Sequence, residues 1–432
     1  MLNKLLMFLM VFLFSASIVS SEISFDGQKL NRGIKEEIAQ TGINVPEPLS
    51  SEDKSFWDWF FNKPDSKIKE WTIMVFINAK NNLERFGLKD VNEMEAVGSS
   101  DKVNIVVEIG RMDGFDSSDG DWKGTRRYLV KKDNDTSKIT SPVVEDLGKT
   151  DMGDWQSVAA FGKWAKAKYP AKKYMIVIWN HGSGWEKNIR GLITKGISYD
   201  DETGTHLTTP QLGMALRDMD GVDVYGSDAC LMGMAEVVYE IKDYAKFIVG
   251  SEETEPGDGY TYDALLSPLI AGPAMTPEQF AKVAVDAYSD HYQSIGEGST
   301  QSYVKSAAIN GFLKVVNEFT YSASNAGEKE LVKKAVGNAQ SYAISDNKDL
   351  YHFVSLILKE TKNADVTAKG NALMDFINKE LVGHNRYTNG SAIGNIITFV
   401  EVTEFICKHW EPVEDHAYGG VIAPNETEQQ RL

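Results

Sequence analysis

The amino-acid sequence predicts an α/β fold: a mainly parallel β-sheet flanked by helices, with a helix-rich C-terminal region. Short apolar runs rich in β-branched residues alternate with helical patterns between about residues 70 and 250. Near-continuous apolar strands that alternate with helices are typical of parallel sheets covered on both faces. After about residue 272 the strand pattern gives way to successive helical periods. The 432 residues, 42% hydrophobic and 25% charged, supply enough apolar side chains for such a core.

The predicted core has five strands, at 71–78, 103–109, 173–179, 222–225 and 246–249. Its predicted helices cover 82–97, 154–168, 209–219 and 231–244. Asp154 and Thr208 or Thr209 are candidate N-caps, and Pro210 suits a first helical turn. In the C-terminal region the pattern predicts helices at 276–288, 311–325, 328–343, 349–360 and 366–382, and a late strand at 393–400.

The first residues predict export. Lys4 precedes an apolar run, Leu5 to Phe14, which small residues follow up to Ser21. This order is typical of a secretory signal peptide, and the run is too short for a comfortable membrane span. We therefore expect a secreted or periplasmic protein without a stable membrane anchor after signal removal; an uncleaved signal anchor is the alternative.

The chain is predicted to divide into a signal peptide (1–21), an N-terminal extension or pro-segment (22–66), an α/β core (67–271) and the helix-rich region (272–432). An aromatic cluster at 56–61 in the extension predicts docking onto the protein's own core. A membrane-surface anchor and a removable pro-segment are the alternatives. The net charge of −17 argues against a nucleic-acid-binding surface.

Two cysteines occur in the chain, and one of them follows a strand candidate. Cys407 is interpreted as a buried structural thiol. Cys230 follows the strand at 222–225, and His181 follows the strand at 173–179. Because ligands bind beyond the carboxyl ends of parallel strands, neighbouring strands would bring this thiol and this imidazole to one crevice. Nucleophilic thiol catalysis needs a base within hydrogen-bonding reach of the nucleophile.

The neighbouring residues extend this interpretation. Cys230 precedes the predicted helix 231–244, whose first turn would favour a thiolate. Gly182 permits close backbone approach, and its N–H and that of Cys230 are the candidate oxyanion hole. In the alternative interpretation, His181 is an ordinary loop histidine and Cys230 a small packing residue.

Taken together, the stretches Asn180–Trp185 (NHGSGW) and Ser227–Gly233 (SDACLMG) resemble the catalytic signature of clostripain-type cysteine peptidases. These belong to the caspase-like group with legumains and gingipains. The interval of 49 residues between His181 and Cys230 is similar to the spacing in caspases. The stretches 71–83 and 251–259 agree with the same family, so the resemblance covers roughly residues 70–270.

The resemblance implies a cysteine endopeptidase that cleaves after Arg or Lys through a dyad, with His181 as the base and Cys230 as the nucleophile. It implies that Asp228 and Asp258 bind the basic substrate side chain; two carboxylates suit a guanidinium or an ammonium group. Asp228 as a helix N-cap and Asp258 as a turn residue are the alternatives. For the whole chain, the alternatives are a transpeptidase, a narrow processing protease, or a non-catalytic binding module with a protease-like crevice.

Self-processing and calcium are further implications of the resemblance. The family often cuts itself between the histidine and cysteine segments, where Lys195–Gly196 matches best and Arg190–Gly191 is second. The chemistry requires no cofactor, and calcium is possible. The acidic stretch 113–121 does not have EF-hand spacing and is interpreted as a solvated connection, and no zinc site is expected. The expected partners are protein or peptide substrates with Arg or Lys, and we expect a monomer.

Overall fold

The computed structural model describes residues 68–185 and 196–388 and the two-residue strand Thr398–Phe399. The predicted signal peptide, the extension with its aromatic cluster, Cys407 and the candidate residues Arg190 and Lys195 lie outside the described residues.

The strands of the described residues are β1 (Lys69–Asn78), β2 (Val103–Arg111), β3 (Gly124–Leu129), β4 (Val143–Gly148), β5 (Ala171–Trp179), β6 (Ile197–Asp200), β7 (Thr205–Leu207), β8 (Val222–Asp228), β9 (Ala245–Gly250), β10 (Ser299–Lys305), β11 (Lys348–Asp349), β12 (Val382–Thr388) and β13 (Thr398–Phe399). The helices are α1 (Glu84–Val97), α2 (Trp155–Lys168), α3 (Thr209–Asp218), α4 (Ala235–Ile241), α5 (Tyr262–Ala271), α6 (Pro277–Ile295), α7 (Ile309–Asn325), α8 (Lys329–Asn338), α9 (Leu350–Glu360) and α10 (Ala364–Phe376). Short 3₁₀ segments lie at Asp119–Asp121 and Ser306–Ala308, and a π-helical turn at Ile377–Leu381.

A nine-stranded sheet forms the centre of the fold, in the order β12-β10-β9-β8-β5-β1-β2-β3-β4. The five central strands, β9 to β2, pair in parallel, and the two strands at each edge pair antiparallel. The five central strands are those predicted from sequence, so the predicted parallel core is confirmed. The antiparallel edge strands were not predicted.

Both faces of the central sheet are covered, which explains its continuous apolar strands. Along β1, Trp71, Ile73 and Val75 face one apolar cluster, and Met74 and Phe76 face the other. Helices α1, α5 and α6 contribute to the first cluster. Helices α2, α3 and α4 contribute to the second, together with α7 to α10. The C-terminal helices therefore pack against the same core as the sheet.

Two predicted helix starts are confirmed and one predicted helix is wrong. Asp154 caps α2, and Thr208 caps α3 in a capping box with Gln211. The helix predicted at 231–244 is only the seven-residue α4. Leu231 has a left-handed φ of 62°, and its N–H donates to the Glu253 carbonyl instead of entering a helix.

None of the helices in the described residues is both long enough and apolar enough to cross a membrane.

Candidate active site

The two candidate catalytic residues follow neighbouring strands in register. In the parallel pair of β5 and β8, Trp179 lies opposite Asp228. His181 and Cys230 each come two residues later, so both lie at the carboxyl edge of the sheet. The two strands are thus neighbours, which is the condition under which the sequence brings His181 and Cys230 to one crevice.

Two glycines allow the loops after β5 and β8 to touch. A Cβ atom at Gly182 would lie 2.4 Å from the Cys230 carbonyl oxygen, and one at Gly184 would lie 2.3 Å from Met234 Sδ. Gly184 also has a φ of 67°, which favours glycine. The close approach at Gly182 is therefore to the backbone of Cys230, and the two predicted oxyanion N–H groups belong to adjacent backbone segments.

The residue before the histidine fixes the loop to the sheet. Asn180 Nδ2 donates to the carbonyls of Asn78 at 2.5 Å and Tyr199 at 3.1 Å, and its Oδ1 accepts from Tyr199 N–H at 2.8 Å. These bonds join the end of β5 to β1 and to β6. The position of His181 is therefore determined by the backbone on both sides of it.

His181 is half-buried and has a polar partner that the sequence reasoning did not name. Its Nε2 atom lies 2.8 Å from Oδ1 of the exposed Asn82. With this carbonyl as acceptor, Nε2 carries the ring proton and Nδ1 carries the lone pair that can accept a proton. Burial lowers the pKa of His181 below 6.5, and the charge of Asp201 opposes this only in part. At neutral pH the ring is thus an uncharged base.

The environment of Cys230 differs from the prediction. Burial, with the nearby Glu255 carboxyl second, raises the pKa of this thiol to about 11. The expected stabilisation by a helix N-terminus is wrong, because α4 begins five residues later. The sulfur instead accepts a hydrogen bond from the Glu255 backbone N–H at 3.3 Å. The resting nucleophile is therefore a protonated thiol that needs a base.

Asp228 is buried beneath this site, with 4% of its surface exposed. Its carboxyl accepts hydrogen bonds from Tyr260 N–H at 3.1 Å and from Tyr262 O–H at 2.8 Å. Burial raises the pKa of Asp228 to about 7, although these donors oppose the shift. Met234 occupies the N-cap position of α4, so the alternative interpretation of Asp228 as that cap is wrong.

Two further acids lie close to Asp228, and the sequence reasoning named neither. Glu255 shares a hydrogen bond with Asp228, and burial raises its pKa well above the usual range. Asp90 on α1 is fully buried, accepts from Trp179 Nε1 at 2.6 Å, and also has a raised pKa because of burial and the charge of Asp228. Glu255 could have been found from sequence, because it follows β9 at the same sheet edge.

Asp258 occupies a different environment. Its side chain is 42% exposed and forms an ion pair with Lys89 at 3.0 Å. His291 Nε2 lies 3.9 Å from its other oxygen. Its carboxylate thus lies at the surface end of this region, and the acid that hydrogen-bonds to Asp228 is Glu255.

Gly196 lies on the carboxyl side of the predicted processing bond. It forms two hydrogen bonds with Ser183, two residues after His181. Its N–H donates to Ser183 Oγ at 3.1 Å, and its carbonyl accepts from Ser183 N–H at 3.0 Å. A Cβ atom here would lie 1.7 Å from the Leu207 carbonyl oxygen. Glycine is therefore required at this position.

Carboxylates of the acidic stretch 113–121 bind polar groups of neighbouring residues. Asp119 accepts from Ile139 N–H and Trp122 Nε1, and Asp121 pairs with Lys123 at 2.8 Å. Arg111 donates to two backbone carbonyls of the stretch. Among the described residues, no group of three or more His, Cys, Asp or Glu side chains is arranged to hold a metal ion.

Replacing Asn82 with alanine should lower kcat about tenfold and change KM little, because it removes one hydrogen bond that orients the base. Steady-state kinetics would measure this. Asn82→Asp should keep most of kcat but move the acid limb of the kcat profile to higher pH, because a carboxylate raises the pKa of His181. A purely structural Asn82 would give loss of stability in both variants and no shift of the profile.

The chain resembles known proteins over most of its length. Residues 75–399 match the model of the clostripain family. Clostripain of Hathewaya histolytica is 28% identical over 228 residues, which cover 48% of this chain and 43% of that protein. The chain thus matches less than half the length of this relative.

Solved structures share the fold. A secreted C11 cysteine protease of Bacteroides thetaiotaomicron in complex with an irreversible peptide inhibitor has a TM-score of 0.57 at 21% identity, covering 74% of this chain and 85% of that one. An inactive zymogen C11 protease of Parabacteroides distasonis has a TM-score of 0.58 at 17% identity, covering 80% and 98%. A structure of a secreted C11 cysteine protease of B. thetaiotaomicron named iotapain has a TM-score of 0.59 at 14% identity, covering 84% and 97%.

Proposed function

The chain belongs to the clostripain family, and we propose that it is a cysteine endopeptidase that cleaves after Arg or Lys through Cys230 and His181. The observation that carries this proposal is the register of β5 and β8, which places both residues at one edge of the sheet. The signature residues of the family thus coincide with a geometry suited to acyl transfer.

The proposed reaction begins from two neutral groups. His181 Nδ1 takes the thiol proton as Cys230 Sγ attacks the scissile carbonyl, and the N–H groups of Gly182 and Cys230 stabilise the oxyanion. The C–N bond breaks, and His181 gives its proton to the departing amine, which leaves a thioester on Cys230. Water, deprotonated by His181, then attacks the thioester and releases the acid and the thiol.

The basic specificity is assigned to Asp228, with Asp258 at the surface end of the pocket. Support comes from the buried position of Asp228 two residues before the nucleophile and from the acids around it. The partners of Asp228 in the part of the chain that the structure describes are uncharged donors, and a buried carboxylate of this kind favours a substrate that brings a cation.

Active-site labelling tests the function. A chloromethylketone with an Arg side chain should alkylate Cys230, identified by peptide mapping, and should leave Cys407 unmodified. The analogue with an Ala side chain is the matched control and should react much more slowly. Reporter peptides ending in Arg, Lys, Asp or Asn then measure hydrolysis. Neither labelling nor hydrolysis would favour a non-catalytic binding module, and transfer of the acyl group to added amines would favour a transpeptidase.

Self-processing at Lys195–Gly196 is expected to give two fragments that stay together. The first fragment would contain β1 and β5 and the second would contain β8 and β9, and β5 and β8 are joined by a parallel ladder. Wild-type protein should therefore show two bands on a denaturing gel and one peak in gel filtration, while Cys230→Ala stays whole. Mass spectrometry identifies the new N-terminus. An intact wild-type chain with full activity would contradict this prediction.

Localisation and cofactors complete the proposal. We propose export with removal of residues 1–21, a monomeric state, and chemistry that needs no cofactor because thiol, imidazole and backbone N–H groups suffice for acyl transfer. N-terminal sequencing of the exported protein checks the first point and light scattering the second. Assays in EGTA test a calcium requirement: unchanged rates exclude it, and a loss restored by Ca²⁺ establishes it.

A further inference from the structure

Asp228 has a carboxyl partner from another part of the chain. Glu255 follows β9, hydrogen-bonds to Asp228 through its side chain, and places its backbone N–H 3.3 Å from Cys230 Sγ. Its Oε1 also lies 3.4 Å from Gln301 Nε2, which holds the side chain in place. Glu255 therefore connects the nucleophile to the acid proposed for specificity.

Two carboxyl groups in direct contact inside a protein hold one proton between them, because ionising both would place like charges side by side. The groups around the pair do not remove this constraint. The groups that act on Asp228 are Asp90 and Glu93 of α1, Tyr260 and Tyr262. The groups that act on Glu255 are Tyr260, Tyr288 and Tyr292 of α6, and Cys230. These neighbours are acids, phenols and a thiol. The nearby cation among the described residues, Lys89, pairs with Glu93 at 3.4 Å and with Asp258 at 3.0 Å.

We propose that Glu255 is a further carboxyl of the basic side-chain pocket, in contact with Asp228, holding a proton against Asp228 while the pocket is empty and releasing it when a substrate Arg or Lys side chain enters. This rests on the proposed specificity for basic residues. In the exchange, the O–H bond of Glu255 breaks, the proton leaves to solvent, and the cation takes its place between two carboxylates. A guanidinium group can bridge them with paired N–H donors.

A pH dependence of substrate affinity follows. Protons compete with the cation for the same site, so KM for basic substrates should rise as the pH falls. Burial, with the charge of Asp228 second, raises the pKa of Glu255 well above its usual range, so KM should still fall as the pH rises above about 7, where Asp228 has already ionised.

The direct test is Glu255→Gln, which keeps a hydrogen-bond donor towards Asp228 but has no proton to release. For Arg reporter peptides, KM should rise about tenfold at pH 8, because the substrate cation loses one charged hydrogen bond, while kcat changes less. The fall of KM above pH 7 should disappear, because the proton of Glu255 is no longer there to compete with the substrate cation. Glu330→Gln, a change at an exposed surface acid, controls for net charge.

The comparison can overturn the proposal. A Glu255→Gln enzyme with the KM profile of the wild type would reject it, and so would the same change of profile in Glu330→Gln. If Glu255→Gln does not fold, the binding of agmatine to Cys230→Ala can be measured instead by calorimetry. Measuring the binding enthalpy in two buffers with different ionisation heats gives the number of protons that the protein releases on binding.

Release of one proton at pH 8, where Asp228 is ionised, supports the proposal. Binding of agmatine without proton release rejects the role of Glu255 and leaves the proposed function standing. Absence of agmatine binding together with absence of hydrolysis by the wild type rejects both.

Discussion

Replacing Cys230 with alanine should lower the hydrolysis of Arg and Lys reporter peptides by about 10⁴-fold or more, because the thiol forms the acyl-enzyme and no other group can replace it. Binding of a basic inhibitor should change little, since the pocket acids remain. Initial rates at saturating peptide measure the first effect, and inhibitor titration by calorimetry measures the second.

Cys407→Ala is the matched control, because it removes the other thiol of the chain. It should retain wild-type rates. A Cys230→Ala protein with rates comparable to the wild type would contradict the assignment of the nucleophile. Full activity in Cys230→Ala combined with inactivity in Cys407→Ala would move the nucleophile to Cys407.

Asp228→Asn should lower kcat/KM for Arg and Lys peptides by about 100-fold, because it removes the buried charge that the substrate cation would meet. Discrimination between Arg and neutral reporter peptides should fall by a similar factor. Steady-state kinetics with both peptides provides the measurement. Retained discrimination would show that another residue selects the basic side chain.

Stability gives a second readout for the same variant. The pKa of Asp228 near 7 lies above its usual value, so in this range the folded state binds more protons than the unfolded state. The contribution of Asp228 to the free energy of unfolding is therefore largest at low pH and decreases as the pH rises from about 4 to 7. Asp228→Asn lacks this decline and should gain stability relative to the wild type as the pH increases, as denaturant titrations at pH 5 and pH 8 would show.

Asp223→Asn is the matched control, on the opposite end of β8. Asp223 is buried, accepts from Tyr174 N–H and pairs with the Lys246 ammonium at 2.7 Å. Its replacement should cost stability without changing the preference for basic residues. The two variants on one strand thus separate a loss of specificity from a general loss of stability.

The catalytic pair was predictable because strand pairing follows from simple patterns. The apolar runs that became β5 and β8 are continuous and β-branched, and the carboxyl ends of parallel strands share an edge. His181 and Cys230 follow these runs directly. The same rule, applied to β1 and β9, would also have directed attention to Asn82 and Glu255.

The helix after Cys230 was wrongly predicted for a reason that local sequence does not contain. Residues 231–244 have apolar side chains suited to a helix, yet Leu231 and Gly233 donate their N–H groups to Glu253 and Ser251. These partners follow β9, and the pairing replaces the first turns of the helix. Intrinsic helix propensity is a weak preference that such tertiary contacts override.

The sequence by itself determined the parallel core, the two caps at Asp154 and Thr208, and the placement of a histidine and a cysteine after two of its strands. Only the tertiary structure decided that these two strands are neighbours and how the groups of the site ionise. Burial raises the pKa of Cys230 and Asp228 and lowers that of His181. Desolvation and contact between charges depend on which groups enclose a side chain, and those groups come from distant parts of the chain.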